Sequence, residues 1–258
     1  MNIREVLLSS DPAHFLRELW KSNQKIFHQN FPELAALSMP IPQGYHHKDN
    51  LEHSFCVLEN AISYEKEGID LILRTSALFH DIGKPQTRGF LTDSKVTFYG
   101  HEVVGAKMIK KILKNSGYSE SELNQISLLI SLHMRAYGFS EAWTEKGARR
   151  LERDAGGAES LKRLIILFKS DLTTKHDDKK LRILDKIDQL EKFITQVKRE
   201  DEIKTVRPAL SGNDVMSLTG LKEGREVGRV MKYLNSPEGL TLNKEDAIAQ
   251  MWRIIKSN

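Results

Sequence analysis

The stretch Leu71-Ile72-Leu73-Arg74-Thr75-Ser76-Ala77-Leu78-Phe79 predicts a buried helix that ends in the tetrapeptide His80-Asp81-Ile82-Gly83. Gly83 tolerates left-handed geometry and Pro85 cannot continue a helix, so both are expected to stop it there. The pair His80-Asp81 sets an imidazole nitrogen beside a carboxylate oxygen at a helix end, where a chain opens to solvent. Adjacent residues on a regular helix do not share a face. The two serve one ion only from a distorted last turn.

The rest of the chain reads as further helices. Asp11-Pro12 places a cap and a first-turn proline ahead of Phe15, Leu16, Leu19 and Trp20. Pro32 to Leu37 predicts a short second helix, and Pro40, Pro42 and Gly44 mark a loop from Ser38 to Asn50. From Leu51 to Lys66, Leu51, Phe55, Leu58 and Ile62 share one helical face with His53 on its flank. Between Thr87 and Tyr99 the β-prone run Lys95 to Tyr99 leaves open a small hairpin or a loop. His101 opens a helix to Asn115, and Ser119-Glu120-Ser121-Glu122 is a capping box for one ending near His133. Thr144 caps a basic helix through Arg153, Glu159 to Asp171 is apolar in its middle, and Asp177 to Arg199 is long and charged. Ser211 to Asp214 and Asn243 to Asp246 supply two more caps. No strand–helix alternation is present, so the expected class is all-α.

Composition narrows the function classes. At 258 residues the chain can bury a large core. A net charge of +4 favours anionic partners without amounting to a nucleic-acid signature. Cys56 stands alone, which excludes an internal disulfide and a cysteine-based zinc site. The first residues carry no signal-peptide pattern, and no apolar run is long enough to span a bilayer. A cytoplasmic protein without a membrane partner is expected.

Ligand-type residues recur beside helix breaks. His53 lies one turn into a helix, His80-Asp81 ends one, His101 begins one, His133 ends one, and Asp171 follows the run Leu164 to Phe168. Helices packed side by side can gather such ends into one pocket. Imidazole and carboxylate without thiolate suit Mg, Mn, Fe, Co, Ni or Zn, without choosing among them. Six candidates are more than one ion needs, which points to two divalent ions sharing a carboxylate, clamping a phosphate and activating a bridging water.

Taken in order, these residues resemble a known family. His53, then His80-Asp81, then Asp171 resembles the signature of the HD-domain metal-dependent phosphohydrolases. Tyr45 to His53, His80 to Pro85, Phe98-Tyr99-Gly100-His101-Glu102, His133-Met134-Arg135 and Ser211 to Gly239 look like the HD region of bacterial tRNA nucleotidyltransferases. That resemblance implies a helical HD bundle over 50–180, between an N-terminal helical segment at 1–49 and a C-terminal helical region at 181–258. It implies that His53, His80, Asp81 and Asp171 hold a first metal. It further implies that His101 and His133 hold a second, with Asp81 bridging. Lys84, one turn past the pair, and Arg135, after His133, become phosphate contacts, with Asp81, Lys84 and Arg135 the catalytic set. In that family a polymerase head precedes this region, whereas Met1 here falls almost directly in the linker. The implied protein is therefore a free-standing hydrolase of nucleotides or RNA ends, a phosphatase or 2′,3′-cyclic phosphodiesterase, with tRNA as a possible partner. Two rivals stand beside it: a non-catalytic tRNA-binding body, and a di-iron oxygenase on the same fold.

Each feature has a plainer reading. Lys84 and Arg135 can be salt-bridge partners, and Lys146, Arg149, Arg150 and Arg153 can be a solvated face rather than an RNA contact. His46 and His47 are expected to shape their loop, and Asp49 to do so or to orient a ligand from behind. His176 beside Asp177-Asp178 reads as surface. Gly220, Gly224 and Gly228 suit turns or close packing, not a dinucleotide fingerprint.

Overall fold

A computed structural model describes residues 1–39, 49–92, 95–138, 143–174, 176–205 and 207–256. His46 and His47 lie outside the described residues. Among the described residues the architecture is all-α apart from one small hairpin. The elements are α1 (Ile3–Leu7), α2 (Pro12–Ser22), α3 (Gln24–Asn30), α4 (Pro32–Ala35), α5 (Asn50–Ser63), α6 (Leu71–Phe79) and α7 (Lys84–Thr87). Then come β1 (Gly89–Thr92), β2 (Lys95–Thr97), α8 (His101–Ile112), α9 (Glu120–Leu132), α10 (Glu145–Asp154), α11 (Ala158–Ser170) and α12 (Asp177–Thr205). α13 (Gly212–Thr219), α14 (Arg225–Leu234) and α15 (Lys244–Lys256) complete the chain. Two compact units are present, Met1–Ile194 and Thr195–Asn258. In the first, Leu7, Leu16, Phe27, Leu51, Phe55, Leu78, Ile82, Ile109 and Ile130 belong to one core. In the second, Leu210, Val215, Val230, Leu234, Ala247 and Met251 form another.

The helix starts follow their expected chemistry. Asp11, Asp49, Asp70, Ser119, Thr144 and Ser211 each accept a backbone N–H of the first turn through the side chain. Asp49 thus acts as the cap of α5, accepting from Leu51 N at 2.9 Å. The open choice between hairpin and loop resolves as an antiparallel pair, Gly89 opposite Thr97 and Phe90 opposite Val96. The segment from Pro32 is shorter than expected, and a separate helix, α3, precedes it with Asn23 as its cap.

Gly83 corrects a sequence expectation. Its φ of −79° is right-handed, and with Pro85 at the second position of α7 it starts a new turn of helix. Its reason is space. A Cβ there would lie 2.1 Å from the His101 carbonyl oxygen and 2.7 Å from the Gly105 nitrogen, both backbone atoms. The missing side chain lets α8 close directly onto the turn that carries Asp81.

Arg74, in mid-run on α6, is buried as well. It grips Glu65 with Nε–Oε1 at 2.8 Å and Nη2–Oε2 at 2.7 Å. Its Nη1 donates to the carbonyls of Leu7 and Ser9 at 2.7 and 2.8 Å. A buried guanidinium is tolerated when its donors are satisfied in this way.

Candidate metal centre

The helices of the first unit deliver their ligand-type residues at their ends. His80 is the residue that closes α6, His133 closes α9, Asp171 closes α11, and His101 is the first residue of α8. After Phe79 the backbone tightens: Ile82 N bonds to Phe79 O at 3.1 Å, and Lys84 N to Asp81 O at 2.9 Å. These three-residue steps are the distortion that lets adjacent residues face one place.

All six sequence candidates converge, and Asp81, only 2% exposed, sits in the middle. Its Oδ2 lies 3.2 Å from His80 Nε2 and 3.5 Å from His53 Nε2. Asp171 Oδ1 closes that group at 2.9 Å from His53 Nε2 and 3.4 Å from His80 Nε2. The other oxygen of Asp81, Oδ1, faces His101 Nε2 at 3.2 Å and His133 Nε2 at 3.9 Å. One carboxylate thus addresses two donor groups, one with each oxygen; His53, His80 and Asp81, and likewise Asp81, His101 and His133, lie close enough together to hold a metal ion.

The imidazoles are pre-oriented. His80, His101 and His133 each turn Nδ1 to the backbone carbonyl three residues earlier, Ala77, Phe98 and Ile130, at 2.9, 2.8 and 2.7 Å. A carbonyl only accepts, so Nδ1 donates and a neutral ring presents its Nε2 lone pair to the centre. For Ala77 and Ile130 the same bonds satisfy carbonyls in the last turn of a helix. His53 differs, with Nδ1 2.9 Å from the Thr173 hydroxyl. Sequence reasoning missed Thr173; its place two residues past Asp171, in the same turn, was the available signal. Thr173→Val keeps the shape and removes the hydroxyl. Divalent-metal affinity should fall about tenfold, read by competition with a chromogenic chelator.

The donor set fits a cation. His53 Nε2 and His80 Nε2 are 3.1 Å apart, and His101 Nε2 and His133 Nε2 are 3.2 Å apart. Lone pairs at that separation repel unless a proton or metal ion lies between them. Burial works against a charge on His80, but Asp81 and Asp171 outweigh it and raise its pKa to about 10. Burial, then the charge of His80, lowers His133 to about 4. Burial also opposes charge on Asp81 and Asp171, yet the neighbouring imidazoles hold both well below the usual carboxylate range. A protonated His80 cannot ligate, so metal uptake must displace that proton. Apparent metal affinity should therefore rise with pH, roughly tenfold per unit between pH 7 and 9. Chelator competition at three pH values checks this, and a pH-independent affinity would contradict it.

Lys84 Nζ contacts Asp81 Oδ2 at 2.5 Å and also lies 3.4 Å from Asn50 Oδ1. Arg135 occupies the short turn after His133, and its Nη1 donates to Asp154 Oδ2 at 2.8 Å. Arg150 and Arg153 approach the same carboxylate at 3.5 and 3.9 Å, so the basic face of α10 is partly neutralised. His176 is exposed and donates its backbone N–H to the Thr174 hydroxyl.

A helical bundle that brings imidazoles and carboxylates from five helix ends to one buried point defines a class of metal-site proteins. An HD domain model matches residues 50–192, more than half of the 258 residues, and the chain belongs to the HD-domain family. HD domains form a superfamily of metal-dependent phosphohydrolase type and bind divalent metals. Over 86% of its length the chain is 32% identical to the CC-adding tRNA nucleotidyltransferase of Thermus thermophilus, covering 49% of that protein. It is 27% identical to the A-adding tRNA nucleotidyltransferase of Deinococcus radiodurans over the same share, covering 50%. The chain spans about half the length of these curated relatives. Among the described residues, no helix is long and apolar enough to cross a membrane.

Proposed function

We propose that this chain hydrolyses phosphoesters of nucleotides or RNA ends, as a phosphatase or 2′,3′-cyclic phosphodiesterase. The observation that carries the reading is the division of Asp81, with one oxygen toward His53 and His80, which Asp171 also meets, and the other toward His101 and His133. His53, His80, Asp81 and Asp171 would hold one divalent ion, and Asp81, His101 and His133 a second. Ions so bound supply a water of lowered pKa and offset charge on a phosphoryl oxygen. The chain contributes the rest. The carbonyl-anchored imidazoles keep their lone pairs fixed, and burial of Asp81 and His133 excludes bulk water. Lys84, already at the Asp81 carboxylate, turns to a substrate oxygen and offsets the charge that develops there. Arg135 joins it by exchanging Asp154 for phosphate, a bidentate match for a guanidinium. Similarity to enzymes named for tRNA supports tRNA or its end as a partner.

The test is phosphate release by the purified chain, loaded in turn with Mg, Mn, Fe, Co, Ni and Zn. The substrates are 2′,3′-cyclic nucleotides, nucleoside monophosphates and simple phosphomonoesters. Turnover of one class with one metal is expected; inactivity across the whole panel overturns the reading.

A further inference from the structure

The first donor group draws on α5 for His53, on the end of α6 for His80 and Asp81, and on the end of α11 for Asp171. α6 and α11 stop at their ligands, but α5 runs on past His53 to Ser63. Along that run it meets α11 again. The side-chain Nδ2 of Asn60 donates to the Ser170 carbonyl at 2.8 Å. A carbonyl only accepts, so this contact fixes which way the amide points. Ser170 is fully buried in the last turn of α11, where carbonyls have no partner within their own helix.

The bond bears directly on a ligand. The Ser170 carbonyl and the Asp171 nitrogen belong to one planar peptide unit. Holding that oxygen therefore holds the peptide that leads into Asp171. Asp171 N also donates to Leu167 O at 3.0 Å, so the unit is pinned along α11 as well as across to α5. His53 and Asn60 are seven residues apart. On a helix that is one face, about 10 Å along the axis. Val57, between them on that face, is fully buried. α5 and the end of α11 are thus joined at two places. His53 meets Asp171 Oδ1 at 2.9 Å and the Thr173 hydroxyl at 2.9 Å, and Asn60 meets Ser170. A single point of contact leaves two helices free to pivot, whereas two points set the angle between them. His101 and His133, of the second group, come from α8 and α9 and take no part in this clamp.

We infer that Asn60 is a positioning residue for the first donor group: it sets the angle at which the end of α11 presents Asp171 to His53 and His80. The inference rests on the metal centre of the hydrolase reading, and on its first ion only. Asn60 reaches the centre through the Ser170 peptide.

Cadmium-113 NMR of the full chain tests this without turnover, because each bound cadmium ion gives its own resonance. The resonance lost in His53→Ala marks the first group. Asn60→Leu keeps the size of the side chain but not its amide, and Asn60→Ala removes both. Each should move the first resonance and lower cadmium affinity there by about tenfold, with the second resonance in place. Asn60→Gln keeps a donor amide on a longer arm and should recover most of that affinity. Ser127→Ala is the control. It removes a like bond between α9 and α8, from the Ser127 hydroxyl to the Ala106 carbonyl at 2.7 Å, and should leave the first resonance where it was. A first resonance and affinity unchanged in both Asn60→Leu and Asn60→Ala overturn the inference. Both resonances moving together, with a lowered urea midpoint, make Asn60 a packing residue and overturn it as well. A chain that holds one ion under the control of Asn60 defeats the two-ion reading alone. Two ions indifferent to Asn60 defeat the positioning role alone.

Discussion

Asp81→Ala should release bound metal from both donor groups together and abolish turnover, by roughly 10³-fold or more. The expectation comes from where the two oxygens point. Oδ2 faces His53 and His80, Oδ1 faces His101 and His133, and no other side chain in the cluster addresses both sides. Elemental analysis of purified protein gives ions per chain, and circular dichroism confirms that the helices remain. Asp81→Asn is the companion variant. It keeps the shape but only one oxygen, so it should retain metal at one group and lose it at the other. Full activity in Asp81→Ala would show that the centre is not built as proposed.

Gly83→Ala should be nearly as damaging, although Gly83 ligates nothing. The added carbon would lie 2.1 Å from the His101 carbonyl oxygen, far inside van der Waals contact, and 2.7 Å from the Gly105 nitrogen. Both obstacles are backbone, so no side chain can rotate away; α8 itself must shift. Overpacking of this kind costs about 3 kcal/mol, a large part of a typical domain's stability. It also moves His101 away from Asp81 Oδ1. The urea midpoint should fall, and the folded variant should bind less metal at the His101 and His133 side. Ala at Gly68, where no neighbour lies within 4 Å of a Cβ but φ is +115°, is a contrasting control for backbone strain without steric conflict.

Much of the site was legible because ligand types recur beside helix breaks. His53, His80, Asp81, His101, His133 and Asp171 each sit within a turn of a helix end. A spacing of about 3.6 residues fixes such ends well enough to expect them together. What holds the ligands was not legible. The Nδ1 partners of three imidazoles are backbone carbonyls, which carry no sequence signal, and the fourth is a threonine hydroxyl 120 residues from His53. Gly83 was expected to turn the chain and instead makes room for it, because the reason lies in α8, some twenty residues on. Arg74 hid inside an apolar run, since a buried guanidinium is revealed only by the carbonyls of Leu7 and Ser9 and the carboxylate of Glu65. Lys84 and Arg135 are ion-pair partners, to Asp81 and Asp154, as their plainer reading has it, and both lie on or beside the ligand-bearing turns.

The carbonyl anchors have a consequence for how the centre comes apart. His80 and His133 each hang from the last turn of the helix they close, through a bond that exists only while that turn is intact. Fraying of one turn therefore frees the ring, and the opening of a helix end and the loss of a ligand become a single event. Such local openings cost less free energy than global unfolding. Bound metal should accordingly slow amide exchange most at the ends of α6 and α9, and leave the middle of those helices little changed.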